Sequence, residues 1–157
     1  MAEPGAHRLD AVVIDEVSLA PASPEQEHER KIAIADLLEQ NLFEPEGAPG
    51  GPYQLKIGLV ENRLDLDIKG PDYAMRHMLS LAPFRRIVRD YLAICQSYYE
   101  AIRNATPAQI ESIDMGRRGL HNEGSELLRE RLDGKVRLDV PTARRLFTLL
   151  CALHWRG

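Results

Sequence analysis

The chain of 157 residues holds only two cysteines, one tryptophan and 6% aromatic residues. Cys95 and Cys151 stand far apart, with no Cys-x-x-Cys spacing, so neither a disulfide scaffold nor a thiolate zinc site is indicated. Each lies in an apolar helical run, where a free thiol behaves as a small buried hydrophobe. Long hydrophobic runs are absent too. The longest, Leu146–Leu153, has eight residues, against the roughly 20 that a membrane helix needs. The first apolar stretch, Ala11–Ile14, ends at Asp15 and Glu16 and lacks the basic start and long core of a secretory leader. The expected location is the cytoplasm, with no membrane contact. No GxxxxGK[ST] loop, GxGxxG fingerprint, HExxH or GxSxG occurs, which removes the standard signals for nucleotide, dinucleotide, metalloprotease and hydrolase chemistry. No metal and no cofactor is expected.

What is present is ordinary globular material: 44% hydrophobic and 28% charged residues. The length fits one domain over 1–157, with 1–7 as a flexible tail carrying Pro4 and Gly5. Arg8–Val17 contains a β-rich Ala-Val-Val-Ile and reads as a strand. Ser23-Pro24, with Gln26 three positions after the serine, is a helix-start signature, and the helix should run to about Leu42, burying Ile34, Leu37, Leu38 and Leu42. Glu44–Pro52 is a Pro/Gly loop. A hairpin follows. A two-residue turn at Glu61-Asn62 sets Leu59 opposite Leu64, Ile57 opposite Leu66 and Leu55 opposite Ile68, with Lys56 facing Asp67 on the other side. One register satisfies both faces.

After Gly70-Pro71, residues 72–81 are expected to form a short helix. From Pro83 the spacing is helical, with Phe84, Ile87, Val88, Tyr91, Leu92, Cys95, Tyr98 and Ile102 on one stripe. Thr106-Pro107, with Gln109, starts another helix toward Leu132, in which Gly116, Gly119 and Gly124 predict a bend or break. Asp139 can cap a final helix with Leu146, Leu149, Leu150 and Leu153 along one side. The predicted fold is α+β: a small antiparallel sheet, built from the N-terminal strand and the β-hairpin over 53–68, with one N-terminal helix and three packed C-terminal helices.

The segments SLAPFRRIVRDY (80–91), SYYEAIR (97–103), IDMGRRGLHNEGSELLRERL (113–132) and ARRLFTLLCALHWRG (143–157) resemble an uncharacterised family of alphaproteobacterial proteins. The resemblance spans nearly the whole chain. It implies a bacterial cytoplasmic protein and carries over no catalytic residue.

The densest polar cluster runs from Asp114 to Ser125. On a helix, Asp114, Arg118, His121 and Ser125 share one side, and Asp114 can pair with Arg118 at (i, i+4). Asp114, Arg117, Arg118, His121, Asn122 and Ser125 are candidate ligand-binding groups, as are Arg85 and Arg86. His121 and Glu123 are the catalytic candidates, because histidine is the usual acid/base near neutral pH. His121-x-Glu123 matches the start of a zinc-deaminase signature, but no Pro-Cys-x-x-Cys follows.

The formal charge of −4 hides two unlike halves. Residues 1–75 carry 6 Lys and Arg against 15 Asp and Glu, and residues 76–157 carry 14 against 9. Arg85, Arg86 and Arg89 open one helix, and Arg144 and Arg145 open the last. Converging, they would hold an anion; otherwise they pair internally, as Arg86 can with Asp90. Few aromatics and no recognised motif make nucleic acid the weaker choice of partner. The leading expectation is a regulatory or interaction module that binds an anionic ligand or a protein partner through the Arg/His-rich helical face. The alternative is a small enzyme with His121 as acid/base and an arginine clamp, acting on a phosphorylated or nucleotide substrate.

Overall fold

The computed structural model describes residues 6–19 and 21–153. The elements run β1 (Leu9–Ile14), α1 (Pro24–Glu39), β2 (Phe43–Pro45), β3 (Tyr53–Val60), β4 (Arg63–Gly70), β5 (Tyr73–Ser80), α2 (Arg85–Asn104), α3 (Pro107–Leu132), β6 (Val136–Leu138) and α4 (Val140–Ala152). A single 3-10 turn, Ala82–Phe84, leads into α2. The class is α+β. A four-stranded sheet has the order β1-β3-β4-β5, and β2 pairs with β6 in a separate ribbon.

The hairpin register is the one its pattern dictates. Leu55, Ile57 and Leu59 face Ile68, Leu66 and Leu64, and Lys56 faces Asp67. Glu61 and Asn62 both adopt positive φ, 49° and 62°, the backbone that matches the twist of a two-residue hairpin turn. The helix starts also form as read. Ser23 and Thr106 each accept from the backbone N–H of the glutamine three positions on, and each glutamine side chain accepts from the cap residue's N–H. Asp139 accepts from Thr142 N–H at 2.9 Å. Each such cap stabilises its helix by about 1 kcal/mol.

Four features of the sequence reading need correction. Residues 73–80 are a strand, not a helix. Ile68, Leu66 and Leu64 of β4 present a ready core-facing row, and Met75, His77 and Leu79 extend it across β5; pairing along that open edge overrides the helix preference of Ala74, Met75, Arg76 and Met78. The sheet is mixed, because β1 runs parallel to β3 with a shift of register between Leu9 and Ala11. Helix α1 stops at Glu39. Just beyond it, Asn41 Oδ1 accepts from Leu9 N–H at 2.7 Å while Nδ2 donates to Leu9 O and Leu37 O. The amide thus pairs with β1 much as a neighbouring strand would and draws the chain out of the helix. Finally, α3 is continuous over 26 residues. A Cβ on Gly116 would meet Ile94 Cδ1 of α2 at 2.9 Å, and one on Gly124 would enter the Phe147 ring of α4. Gly116 and Gly124 are contact points for neighbouring helices, and packing there outweighs their ~0.5–1 kcal/mol cost.

One hydrophobic cluster joins the inner sheet face (Leu55, Ile57, Leu64, Leu66, Ile68) to Leu37 of α1, Val88 of α2, Leu128 and Leu132 of α3 and Leu146, Phe147 and Leu150 of α4. Of the residues expected to be buried along α1, Leu37 is, while Ile34, Leu38 and Leu42 are only partly buried; Ile102, last of the α2 stripe, is exposed. Cys151 is buried and Cys95 half-buried, both as free thiols. Of the segment read as a tail, residues 1–5 lie outside the described residues. His7 is anchored, with Nδ1 at 2.8 Å from the Tyr53 hydroxyl and Nε2 at 3.4 Å from Glu44. Trp155 and the Trp-Arg-Gly end also lie outside the described residues.

Candidate functional site

The predicted polar side of α3 separates into three settings. The first is an internal charge cluster. Asp114 Oδ1 accepts from Arg117 at 2.6 Å, and Oδ2 lies 3.2 Å from Arg118 Nε. The Arg117 guanidinium also lies over the Tyr98 ring, 5.2 Å from its centroid. The Asp114 hydrogen bond raises the Arg117 pKa further above its usual value. One carboxylate therefore already engages both arginines, which leaves less of either guanidinium for a ligand.

The second setting is the His121 ring. It lies 5.3 Å from Tyr91 of α2 and 5.3 Å from Phe147 of α4, centroid to centroid. Nε2 is 2.7 Å from Thr148 Oγ1, which itself donates to Arg144 O at 3.0 Å. The hydroxyl's one proton is spent on that carbonyl, so His121 donates from Nε2 and its lone pair is on Nδ1. Burial, then Arg144, then Arg117, hold the imidazole far below its usual range, at about 4. It is neutral at pH 7 and a weak base. Glu123 is exposed and, two residues on, points roughly 200° around the helix from His121. The two catalytic candidates do not share a site.

Neutral His121 has a consequence for stability. Its folded pKa lies below the ordinary 6.5, so unfolding takes up a proton at intermediate pH. The stabilisation is complete above about pH 6.5, declines as pH falls from 6.5 toward 4, and is lost below that. With the ring half reached by solvent, the loss should be about 2 kcal/mol. Urea melts at pH 7 and pH 4.5 measure it. His121→Gln should show a shallower decline by that amount; equal declines in both proteins would refute the assignment.

The third setting is a groove between α3 and the start of α4. Asn122, Ser125, Glu126 and Arg129 face Val140, Ala143 and Arg144 across a cleft of about 250 Å³. It continues past Val140 and Arg144 into a cleft of about 320 Å³ lined also by His121, Pro141, Arg145 and Thr148. In the other direction Glu126 and Arg129 lead into a larger hollow of about 570 Å³, bounded by Glu46, Glu130, Asp133 and Arg137. Ser125 is 3% exposed, and its Oγ donates to His121 O at 2.7 Å, so it shapes the wall and is not poised as a nucleophile. Arg129 Nε donates to Leu138 O at 3.2 Å, and Arg145 donates to Gln40 O. Arg144 is exposed, and among the described residues its guanidinium has no ion pair or hydrogen bond.

Arg85 and Arg86 lie apart from this groove's named lining. They begin α2, and Arg86 Nε is 3.7 Å from Asp90. Arg85 is thirteen residues from Tyr98, where Arg117 packs, a distance of roughly 20 Å along the helix. The unlike halves of the chain meet in part: Arg137 bridges Glu44 at 2.6 Å and Arg76 bridges Asp65 at 2.8 Å. The other arginine pairs of the described residues stay within the helical half.

Two features escaped the sequence reading. Nothing along the chain marks Arg129, because only folding of the 133–140 connection brings β6 and α4 beside it. Arg30 is buried in α1, 7% exposed, and donates to Ala152 O at 3.0 Å and Leu153 O at 3.2 Å. Its only sequence signal is that it shares the spacing of Ala33 and Leu37 on the inner side of α1. On the sheet, His77 Nε2 is buried without a hydrogen-bond partner; burial, and then Lys135, lower its pKa.

Residues 6–156 match the Uncharacterised protein family (UPF0262). The chain belongs to that family. It is 68% identical to a UPF0262 protein of Phenylobacterium zucineum over 151 residues, covering 96% of this chain and 95% of the relative. It is 64% identical to one of Caulobacter vibrioides over the same length, and 60% identical to one of Nitrobacter hamburgensis over 157 residues, covering 99% of this chain and 96% of that protein. No solved structure matches. Membership of UPF0262 brings no assigned activity. No helix among the described residues is long and apolar enough to cross a membrane.

Proposed function

We propose that the protein is a cytoplasmic interaction module that binds the anionic group of a small ligand or protein partner in the α3–α4 groove. The carrying observation is Arg144. Its guanidinium is exposed, borders both clefts of the groove and has no acidic partner among the described residues. Asn122 adds an amide, and Arg129, tied by one nitrogen, keeps donors for the same space. Glu126 on the same wall offers an acceptor, which suits an anion that also carries a hydroxyl or amine. Arg117 and Arg118, whose charge Asp114 already offsets, are weaker anchors for an anion than Arg144. A His121-based enzyme is disfavoured by the low basicity of that ring and by the orientation of Glu123.

Titration with inorganic phosphate and with phosphoserine, followed by backbone amide NMR, tests the reading. Shifts should concentrate in 122–129 and 140–148. Arg144→Ala should weaken binding by roughly ten-fold or more, the worth of a charge-assisted pair. Absence of localised shifts, or unchanged affinity in the variant, would overturn it.

A further inference from the structure

Strand β5 is an eight-residue edge strand whose register with β4 runs unbroken from Arg63–Ser80 to Gly70–Tyr73. Its only substantial packing among the described elements is against β4. The usual protections of an edge are missing: β5 holds no proline, lysine or bulge, and its one arginine, Arg76, is held by Asp65. The core-facing row is incomplete as well. Ile68 is fully buried, yet Met75 beside it is 46% exposed, and two positions on His77 has the buried Nε2 with no partner.

We propose that β5 is the docking edge for a second copy of this chain, pairing antiparallel with the partner's β5 about a two-fold axis at His77. A two-fold axis perpendicular to the sheet keeps each side chain on its own face, so a residue must lie on the axis. Centring on Arg76 would set two like charges directly opposite one another. Centring on Met75 or Met78 shortens the ladder. Centring on His77 pairs residues 74–80, sets Met75 opposite Leu79, and brings the two His77 rings together on the inner face. It also places residue 72 of each copy beside residue 82 of the other, at the turn leading into Arg85. Asp72 and Arg85 are both exposed, and neither has an ion pair among the described residues. The charges at the two ends of the edge are therefore complementary only when the strands run antiparallel. The result is a continuous eight-stranded sheet with the helices of both copies on one side.

Sedimentation velocity of the full chain, from micromolar to near-millimolar concentration, should show a monomer–dimer equilibrium. Hydrogen exchange at 73–80 should slow as concentration rises. Met75→Lys, at a half-exposed site, should leave a folded monomer by circular dichroism. Asp72→Arg and Arg85→Asp should each weaken association by roughly ten-fold, since two cross-strand charge pairs are lost per dimer. Combining them should restore it, an outcome that a merely structural role for either residue would not produce. A monomer at every concentration, a dimer indifferent to Met75→Lys, or failure of the double swap to recover affinity would each overturn the proposal.

Discussion

Gly124→Ala should destabilise the protein by about 2–3 kcal/mol, although alanine is the better helix former. The added Cβ would lie within the Phe147 ring, with three ring carbons inside van der Waals distance and the farthest only 2.6 Å away. Phe147 cannot retreat. It is fully buried and packs edge-on against both Tyr91 and His121. Forcing extra volume into a close-packed core costs ~1–3 kcal/mol and sometimes more. The propensity gain of up to ~1 kcal/mol recovers only part of it. Gly119 is the matched control. Nothing lies within 4 Å of a Cβ there, so Gly119→Ala should stabilise by ~0.5–1 kcal/mol. Chemical denaturation of both variants checks the pair. Equal effects would mean that α3 and α4 do not approach at Gly124 as described.

The second large effect is expected at Arg30. Its two hydrogen bonds close the carbonyl end of α4 from the side of α1. Hydrogen bonds from a charged group contribute ~1.5–3 kcal/mol each, and a cation at a helix C-terminus adds ~0.3–1 kcal/mol through the dipole. Burying the guanidinium offsets much of this sum. Arg30→Met keeps the packing of the stem but leaves the carbonyls of Ala152 and Leu153 without this donor, and should cost about 3 kcal/mol. Arg30→Lys, with a compact ammonium in place of a planar fork, should recover less than half of that. Thermal and urea unfolding decide it. A loss below ~1 kcal/mol in Arg30→Met would show that this contact contributes little net stability.

These two residues illustrate how unevenly sequence exposes structure. Gly124 was visible as a helix glycine and read as a weak point. It is a contact point, and the difference lies in Phe147, which is 23 residues away along the chain. Arg30, the seventh residue of α1, carries no local signal beyond its spacing with Ala33 and Leu37. Its role depends on α4 ending beside it, 122 residues later. In the candidate site, the (i, i+4) pairing of Asp114 with Arg118 was legible because both partners sit on one helix. The groove residues Arg129 and Arg144 come together only because the β6 segment turns the chain from α3 into α4.

Local physics fixed much of this protein. Alternating Leu and Ile set the hairpin register, Ser23, Thr106 and Asp139 set three helix starts, and the absence of long apolar runs left no membrane-spanning helix among the described residues. Each of those features is decided by neighbours within a few residues. Tertiary structure alone decided that 73–80 would be a strand, since the open edge of β4 outweighed local helix preference. It also decided that α3 would run straight through its glycines and that His121 would be neutral inside an aromatic junction. It left Arg144, rather than Arg117 or Arg118, without an acidic partner among the described residues. Those outcomes turn on what packs against a residue from a distant part of the chain, which spacing along one segment cannot encode.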